Sequence, residues 1–239
     1  MGLKGSLRNV STGVIAIPDG KVLSYPWNEG SGTDINEEFG RDVATLSDDS
    51  VWTEGNFFGD FALDFRGNEE SVSGDSTAIE DAIQSGHFGV SFTFQSDNLE
   101  TFDNFLGVSD NGRVQSFSSF RGDDGSVEFR IEDSNGHRIE VFTDGGFDDG
   151  ANKRVFITMD QPNADGISIF INDSEKPLTA NSDDSGFDLS DVNISGEEML
   201  YGDGPGTGTE VNAIMDYPRW WQSPSRDDIA EDFDLQPWS

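Results

Sequence analysis

Two carboxylates on one strand face are the nearest this chain comes to a catalytic pair. In Glu128-Phe129-Arg130-Ile131-Glu132 the period of two puts Glu128 and Glu132 on one side with Arg130 between them. Hydrolysis of a glycosidic bond needs two carboxyl groups about 5–9 Å apart across the linkage. The one-strand spacings that supply them, Glu-x-Asp-x-Glu and Glu-x-Asp-x-x-Glu, do not occur. The pair therefore reads as the solvated face of an acidic strand. His87 and His137 are the only imidazoles, each at a strand start or turn, without a nucleophile elbow or a second histidine at ligand spacing. Arg121-Gly122-Asp123 lies in RGDDGS between two strands and reads first as a turn. With no cysteine, disulfides, thiolate chemistry and Cys-ligated zinc are excluded.

Charge is the strongest global signal: 47 Asp and Glu stand against 14 Lys and Arg, a formal −33. Such self-repulsion opposes compaction in ordinary salt, but near 1 M salt the Debye length falls to about 3 Å. The acidity reads as adaptation to molar salt, and its even spread favours a solvated surface over a partner-binding tail. Nucleic acid, which demands a basic stripe, is disfavoured. The apolar run Val14–Ile17 is too short for a secretory signal, and no stretch approaches the roughly 18 apolar residues of a membrane span. The expected place of synthesis and assembly is the cytoplasm. Residues 1–21 hold Lys4, Arg8 and Lys21 against Asp19, a local +2, whereas the remainder carries 11 basic and 46 acidic residues, or −35. They form either a first strand with a frayed end, or a docking arm for an acidic neighbour or a second copy.

The elements that must position any site are strands. Across Arg154–Asn172, Val155, Ile157 and Met159 alternate with Phe156, Thr158 and Asp160, and Ile167, Ile169 and Ile171 alternate with Ser168, Phe170 and Asn172. This period of two on both arms predicts an antiparallel hairpin with a buried isoleucine-rich face, which needs a second layer to cover it. His87–Gln95 alternates in the same way. Phe105–Val108 and Val114–Phe120 flank Asp110-Asn111-Gly112, and Val127–Ile131 and Arg138–Phe142 flank Ser134-Asn135-Gly136-His137, two further predicted hairpins. Strands thus recur about every 10–12 residues, the habit of an antiparallel sandwich. Helix is confined to Thr77–Gln84 and Ser225–Phe233, the latter opened by a capping box of Ser225 and Asp228. The Gly-, Ser- and Asp-rich segments 172–198 and 202–208 are either binding loops or spacers.

Several anchors carry a family resemblance. Trp27-Asn28-Glu29-Gly30-Ser31-Gly32 with Phe39-Gly40-Arg41-Asp42, then Trp52-Thr53-Glu54-Gly55, Ala62-Leu63-Asp64-Phe65-Arg66-Gly67-Asn68, the central hairpin, and Val211–Trp221 with Ser223–Asp228 resemble the laminin-G-like, concanavalin A-like jelly-roll domains. The resemblance implies an all-β, antiparallel two-sheet jelly-roll sandwich over residues 22–234, preceded by the arm 1–21 and followed by a tail, 235–239. It implies a structural Ca2+ held through Asn28, Asn68 and Asp216. It also implies sugar stacking by aromatics of the closing segment, Tyr217, Trp220 and Trp221, with Trp238 a further candidate. At least one of Trp220 and Trp221 is expected in the core, as are Trp27 and Trp52.

The resulting expectation is a non-catalytic adhesion module: a virion surface protein of a halophilic archaeal virus (capsid decoration, turret or tail-fibre head) that binds host glycan. It would assemble with its own copies and other virion subunits through residues 1–21. The alternatives are a glycoside hydrolase or lyase of this fold and a secreted haloarchaeal cell-surface lectin. If the −33 charge is an adaptation to salt, the thermal unfolding midpoint rises steeply from about 0.1 to about 2 M KCl as repulsion is screened. A midpoint indifferent to salt in a thermal melt would remove that reading.

Overall fold

The computed structural model describes residues 20–27, 29–38, 40, 42–48, 51–54, 61–66, 71–99, 104–109, 125–194, 196–202, 211–225 and 227–228. Among these, antiparallel strands form an all-β jelly-roll sandwich. The eight-stranded layer runs in the order β13 (Ser174–Glu175), β12 (Ile167–Ile171), β11 (Lys153–Met159), β7 (Phe88–Gln95), β16 (Ile214–Gln222), β5 (Phe61–Asp64) and β4 (Trp52–Glu54). β1 (Lys21–Ser24) also pairs with β16. The opposing layer is split. One sheet of five takes β2 (Asp34–Asn36), β3 (Val43–Leu46), β6 (Val72–Asp75), β15 (Glu198–Tyr201) and β8 (Leu106–Ser109), and one of three takes β14 (Leu178–Asp183), β10 (Arg138–Thr143) and β9 (Glu128–Glu132).

The central hairpin has the predicted register, with Val155 opposite Ile171, Ile157 opposite Ile169 and Met159 opposite Ile167. These side chains join Val90, Phe92 and Phe94 of β7 and meet Ile139 and Val141 of β10 and Met199 and Tyr201 of β15 in one apolar core. The other face of the large sheet is apolar too. Phe156, Phe170 and Trp221 are buried there as a separate cluster, with the Phe156 and Trp221 rings 5.6 Å apart. Gly89 makes room for it: a Cβ there would stand 2.9 Å from Phe156 Cε1 and 3.0 Å from Pro224 Cγ.

The single described α-helix, α1 (Thr77–Gln84), turns Ile79, Ala82 and Ile83 inward at the i, i+3, i+4 spacing of one face. The Ser225 hydroxyl accepts from Asp228 N at 3.1 Å, and the Asp228 carboxylate accepts from Ser225 N at 2.6 Å, completing the predicted capping box.

Some expectations change. Lys21 is already in β1, so the strand begins inside the segment assigned to the arm, while residues 1–19 and 235–239 lie outside the described residues. β8 pairs with β15, and the other arm of its predicted hairpin, 114–120, lies outside the described residues. The segment 172–198 is neither a free loop nor a spacer. It holds β13 and β14 and then buries Phe187, Leu189, Val192 and Ile194 in the core, while Gln84 Nε2 donates to the Val192 carbonyl at 2.7 Å. Trp27 is a core residue as expected, but Trp52 is half-buried at the sheet edge, its indole N–H donating to the Gly32 carbonyl at 2.8 Å.

The β9–β10 turn shows what fastens that segment. Asp133, whose side chain is buried, accepts from the backbone N–H of Asn135 (2.9 Å) and His137 (3.0 Å) and, across the sandwich end, from Asp188 N (3.3 Å), with His137 Nδ1 3.2 Å away. Burial alone would raise its pKa, but these donors outweigh it and hold the carboxyl below its usual range. A depressed folded-state pKa contributes stability that is complete above the unfolded value, about 3.9, and is lost as pH falls through the folded one. Asp133→Asn is therefore expected to unfold about 1–3 kcal/mol more easily at pH 7. Relief of the net −33 charge on acidification is common to both proteins and cancels in the difference. In urea titrations from pH 7 to 2.5 the gap between wild type and variant should close below about pH 4, and a constant gap would show that the carboxylate is not the fastening group.

Candidate functional site

β16 carries the predicted sugar-stacking aromatics, and its register decides where they go. Met215 faces Phe94 and Asp216 faces Thr93, but Arg219, not Pro218, faces Ser91. One extra residue is accommodated between them as a bulge. Tyr217 takes φ +55° to make it, and the Pro218 carbonyl accepts from Tyr25 N at 3.1 Å. Beyond the bulge Trp220 enters the core opposite Val90, fully buried, its Nε1 donating to the Tyr201 hydroxyl at 3.2 Å. Trp221 turns to the outer cluster and donates to Ser91 Oγ at 3.2 Å. Both indoles are covered, so neither offers a face to a sugar in this structure.

Tyr217 alone of the three keeps part of its surface in solvent. The Arg219 guanidinium lies 4.0 Å from its ring centre and Lys21 Nζ 6.0 Å from it. Its hydroxyl donates to Glu38 Oε2 at 3.2 Å, and Lys21 reaches the same oxygen at 3.3 Å. Burial, followed by the nearby Glu38 charge, raises the phenol pKa despite the opposing Arg219. Burial works against ionisation of Glu38 as well, but the hydrogen bonds and the Lys21 charge it receives lower its pKa. The group acts as a fastening that pins β1 and the 37–42 turn to the bulge.

Of the three residues implied for calcium, Asn28 and Asn68 lie outside the described residues, and Asp216 is fully buried on β16. Among the described residues no group of three or more His, Cys, Asp or Glu stands in metal-binding array. They supply one of the three implied ligand residues. Glu128 and Glu132 do not lie on a freely solvated face: Glu128 is 9% exposed, Glu132 pairs with Arg130 at 2.9 Å, and Arg130 and Arg138 stand opposite Glu140 and Glu132 across the strands. His137 is engaged with Asp133, and the His87 carbonyl accepts from Ser223 N.

A concave feature among the described residues lies elsewhere, at the seam where β12 of the large sheet approaches β14 of the small one. A cleft of about 260 Å³ is lined by Val141, Ala164, Asp165, Ile167, Lys176, Leu178 and Ala180. Its two ends follow from the path of the chain. After β13 the chain crosses between sheets through Lys176-Pro177-Leu178, with Lys176 N donating to the Ile169 carbonyl at 2.8 Å. At the far end, two residues before Ile167, the 3₁₀ turn Ala164–Gly166 is capped by Asn163 Oδ1 and tied to β14 by Ala164 N donating to Asp183 Oδ1 at 3.0 Å. Asp165 and Lys176 therefore stand apart along β12, in a cleft whose accessible lining is mostly polar because Val141 and Ile167 are buried beneath it. Leu178 and Ala180 share a face of β14 by the period of two, and Val141 is the partner of Ala180 on β10. The composition of 172–198 left binding loops and spacers equally open, and the cleft needed the pairing of β14 with β10, which no local pattern reveals.

No family model matches the sequence, and no curated protein matches it. Solved structures do share its fold. The binding domain of Paraclostridial Mosquitocidal Protein 1 aligns with 90% of this chain and 52% of its own at 14% identity (TM-score 0.60). A structure of botulinum neurotoxin type C, whose cell entry is dependent upon interaction with two ganglioside molecules, aligns over 91% and 52% at 14% identity (TM-score 0.61). Domain 4 of AbnA, a GH43 extracellular arabinanase from Geobacillus stearothermophilus, in complex with arabinotriose, aligns over 90% of this chain and 98% of its own, again at 14% identity (TM-score 0.60). The chain thus spans about half the length of the toxin binding domains. At this identity the likeness is one of fold.

The burial of Trp220 and Trp221 sets an expectation that separates core from platform. Trp220→Ala and Trp221→Ala should each lower stability by about 3–5 kcal/mol, measured by chemical denaturation in molar salt. An unchanged midpoint for either would place that indole outside the packed structure.

Proposed function

We propose that this chain is a non-catalytic saccharide-binding module whose site is the cleft at the β12–β14 seam. The observation that carries this is the cleft itself: a mostly polar lining with an acceptor, Asp165, and a donor, Lys176, and a small apolar patch at Leu178 suited to the C–H face of a sugar ring. Solved domains of the same fold support the reading, one in complex with arabinotriose and another from a toxin that interacts with gangliosides. Among the described residues Asp165 is the one carboxylate that lines the cleft, whereas glycoside hydrolysis uses two, which supports binding without turnover. The narrower reading is a virion surface protein of a halophilic archaeal virus, recruiting copies of itself through residues 1–21. It rests on the −33 charge and an adhesion-type sandwich. A structural Ca2+ at Asn28, Asn68 and Asp216 rests on the family resemblance.

Ala180 is exposed and lines the cleft, so Ala180→Trp should fill the site without disturbing the core. On a glycan array and by calorimetry in about 2 M KCl, the full chain is expected to bind and Ala180→Trp to lose at least about tenfold in affinity at an unchanged melting midpoint. The same saccharides should yield no product. Loss of binding on Tyr217→Ala with Ala180→Trp unaffected would move the site to the closing strand.

A further inference from the structure

We infer that the cleft selects a sugar bearing a carboxylate, with Lys176 as the group that reads the charge; this rests on the saccharide-binding reading above. The chain has only four lysines among 239 residues. Lys21 and Lys153 are buried and paired, with Glu38 at 3.3 Å and Asp149 at 2.5 Å. Lys4 lies outside the described residues, and among the described lysines Lys176 is the exception. Among the described residues no carboxylate lies within ion-pair distance of its ammonium, which sits 5.6 Å from the centre of the Phe147 ring.

That is unexpected in a chain with 47 acidic residues, where a surface cation has carboxylates on every side. The near acids are disposed away from it. Glu175 accepts from Ser168 Oγ at 3.0 Å, and Asp165 stands at the other end of the cleft. Lys176 is also held in place: its backbone N–H is bonded to Ile169, Pro177 follows with its fixed φ, and its stem is half-buried along the cleft wall. An ammonium over an aromatic ring, on a half-buried side chain whose backbone is held, is a docking point for an anion.

The volume and polarity of the cleft narrow the ligand. About 260 Å³ lies below the roughly 300–1,000 Å³ of sites for drug-sized ligands, which suits a single sugar unit. Asp165 repels an acid at its end and accepts from hydroxyls, so the carboxylate is directed to Lys176 and the hydroxyl-bearing edge to Asp165. The net −33 of the chain does not prevent this at molar salt, because a Debye length of about 3 Å leaves only direct contacts. A uronic or sialic acid residue fits these constraints, and a neutral pentose or hexose leaves Lys176 without its partner.

The test uses the full chain in about 2 M KCl, with trigalacturonate and 3′-sialyllactose as acidic probes and arabinotriose and lactose as neutral ones. At least one acidic probe is expected to bind about tenfold or more tightly than the neutral ones. Lys176→Met, which keeps the apolar stem, should bring it down to their level at an unchanged melting midpoint, and Lys176→Arg should retain most of the preference. Equal binding of acidic and neutral probes, a preference that survives Lys176→Met, or failure of both acidic probes to bind would each overturn the inference. If neutral sugars bind and Ala180→Trp abolishes that binding, the saccharide reading stands while the carboxylate preference falls. If no sugar on the array binds, both fall.

Discussion

The fold depends on a late strand placed at the centre of a sheet. β16 is the last described strand, yet it lies between β7 on one side and β1 and β5 on the other, so the large layer cannot close until residues 214–222 arrive. Such non-local closure makes for slow folding, because loop entropy is lost before the contacts that offset it form. A proline in a central strand has no N–H for the ladder. The bulge resolves this at Tyr217-Pro218, and it also changes the phase of the strand. Met215 and Trp220 are five residues apart and both face the core, which an unbroken period of two forbids. A non-glycine residue at φ +55° costs about 1–3 kcal/mol, and the Arg219 stack and the Glu38 bond to Tyr217 hold it there.

The same strand explains why the large sheet is apolar on both faces. Trp221 follows Trp220 and so points outward, where Phe156 and Phe170 from the central hairpin meet it. Gly89, opposite both Thr158 and Trp221, supplies the space for the Phe156 ring. The outer cluster is thus assembled from the central hairpin and one strand distant from it in sequence, in register with a glycine that carries no side chain of its own.

These features mark the limit of what could be read in advance. The central hairpin and the Asn135-Gly136 turn were legible because period and turn chemistry are local, and Thr77–Gln84 was legible because its apolar spacing is helical. The fate of Trp220 and Trp221 was not, because a one-residue bulge inverts parity and leaves no local signature beyond Pro218. The outward Phe156 and Phe170 alternate with core residues and look like the solvent face of an ordinary strand until Trp221 is placed over them. The cleft was half-legible. Lys176 and the β14 residues fall in a segment whose composition left binding loop and spacer equally open, and Val141, Ala164 and Ile167 join them only through sheet pairing.

Charge placement follows a related logic. Where acids outnumber bases by 33, exposed carboxylates are kept apart by water and salt, and exposed ion pairs contribute little at molar ionic strength. The cations that matter are the ones withdrawn from solvent. Lys21 and Arg219, both largely buried, hold the first and last described strands around Tyr217, and Lys153, also buried, ties the start of β11 to Asp149. Each fastens one strand to something that sequence alone leaves loose, and each works at short range, where screening has least effect. Lys176 shares their partial burial but fastens no strand through its ammonium. Its charge lies instead beside an aromatic ring, on a side chain that lines the cleft, so what it contributes to the molecule is a contact directed outward.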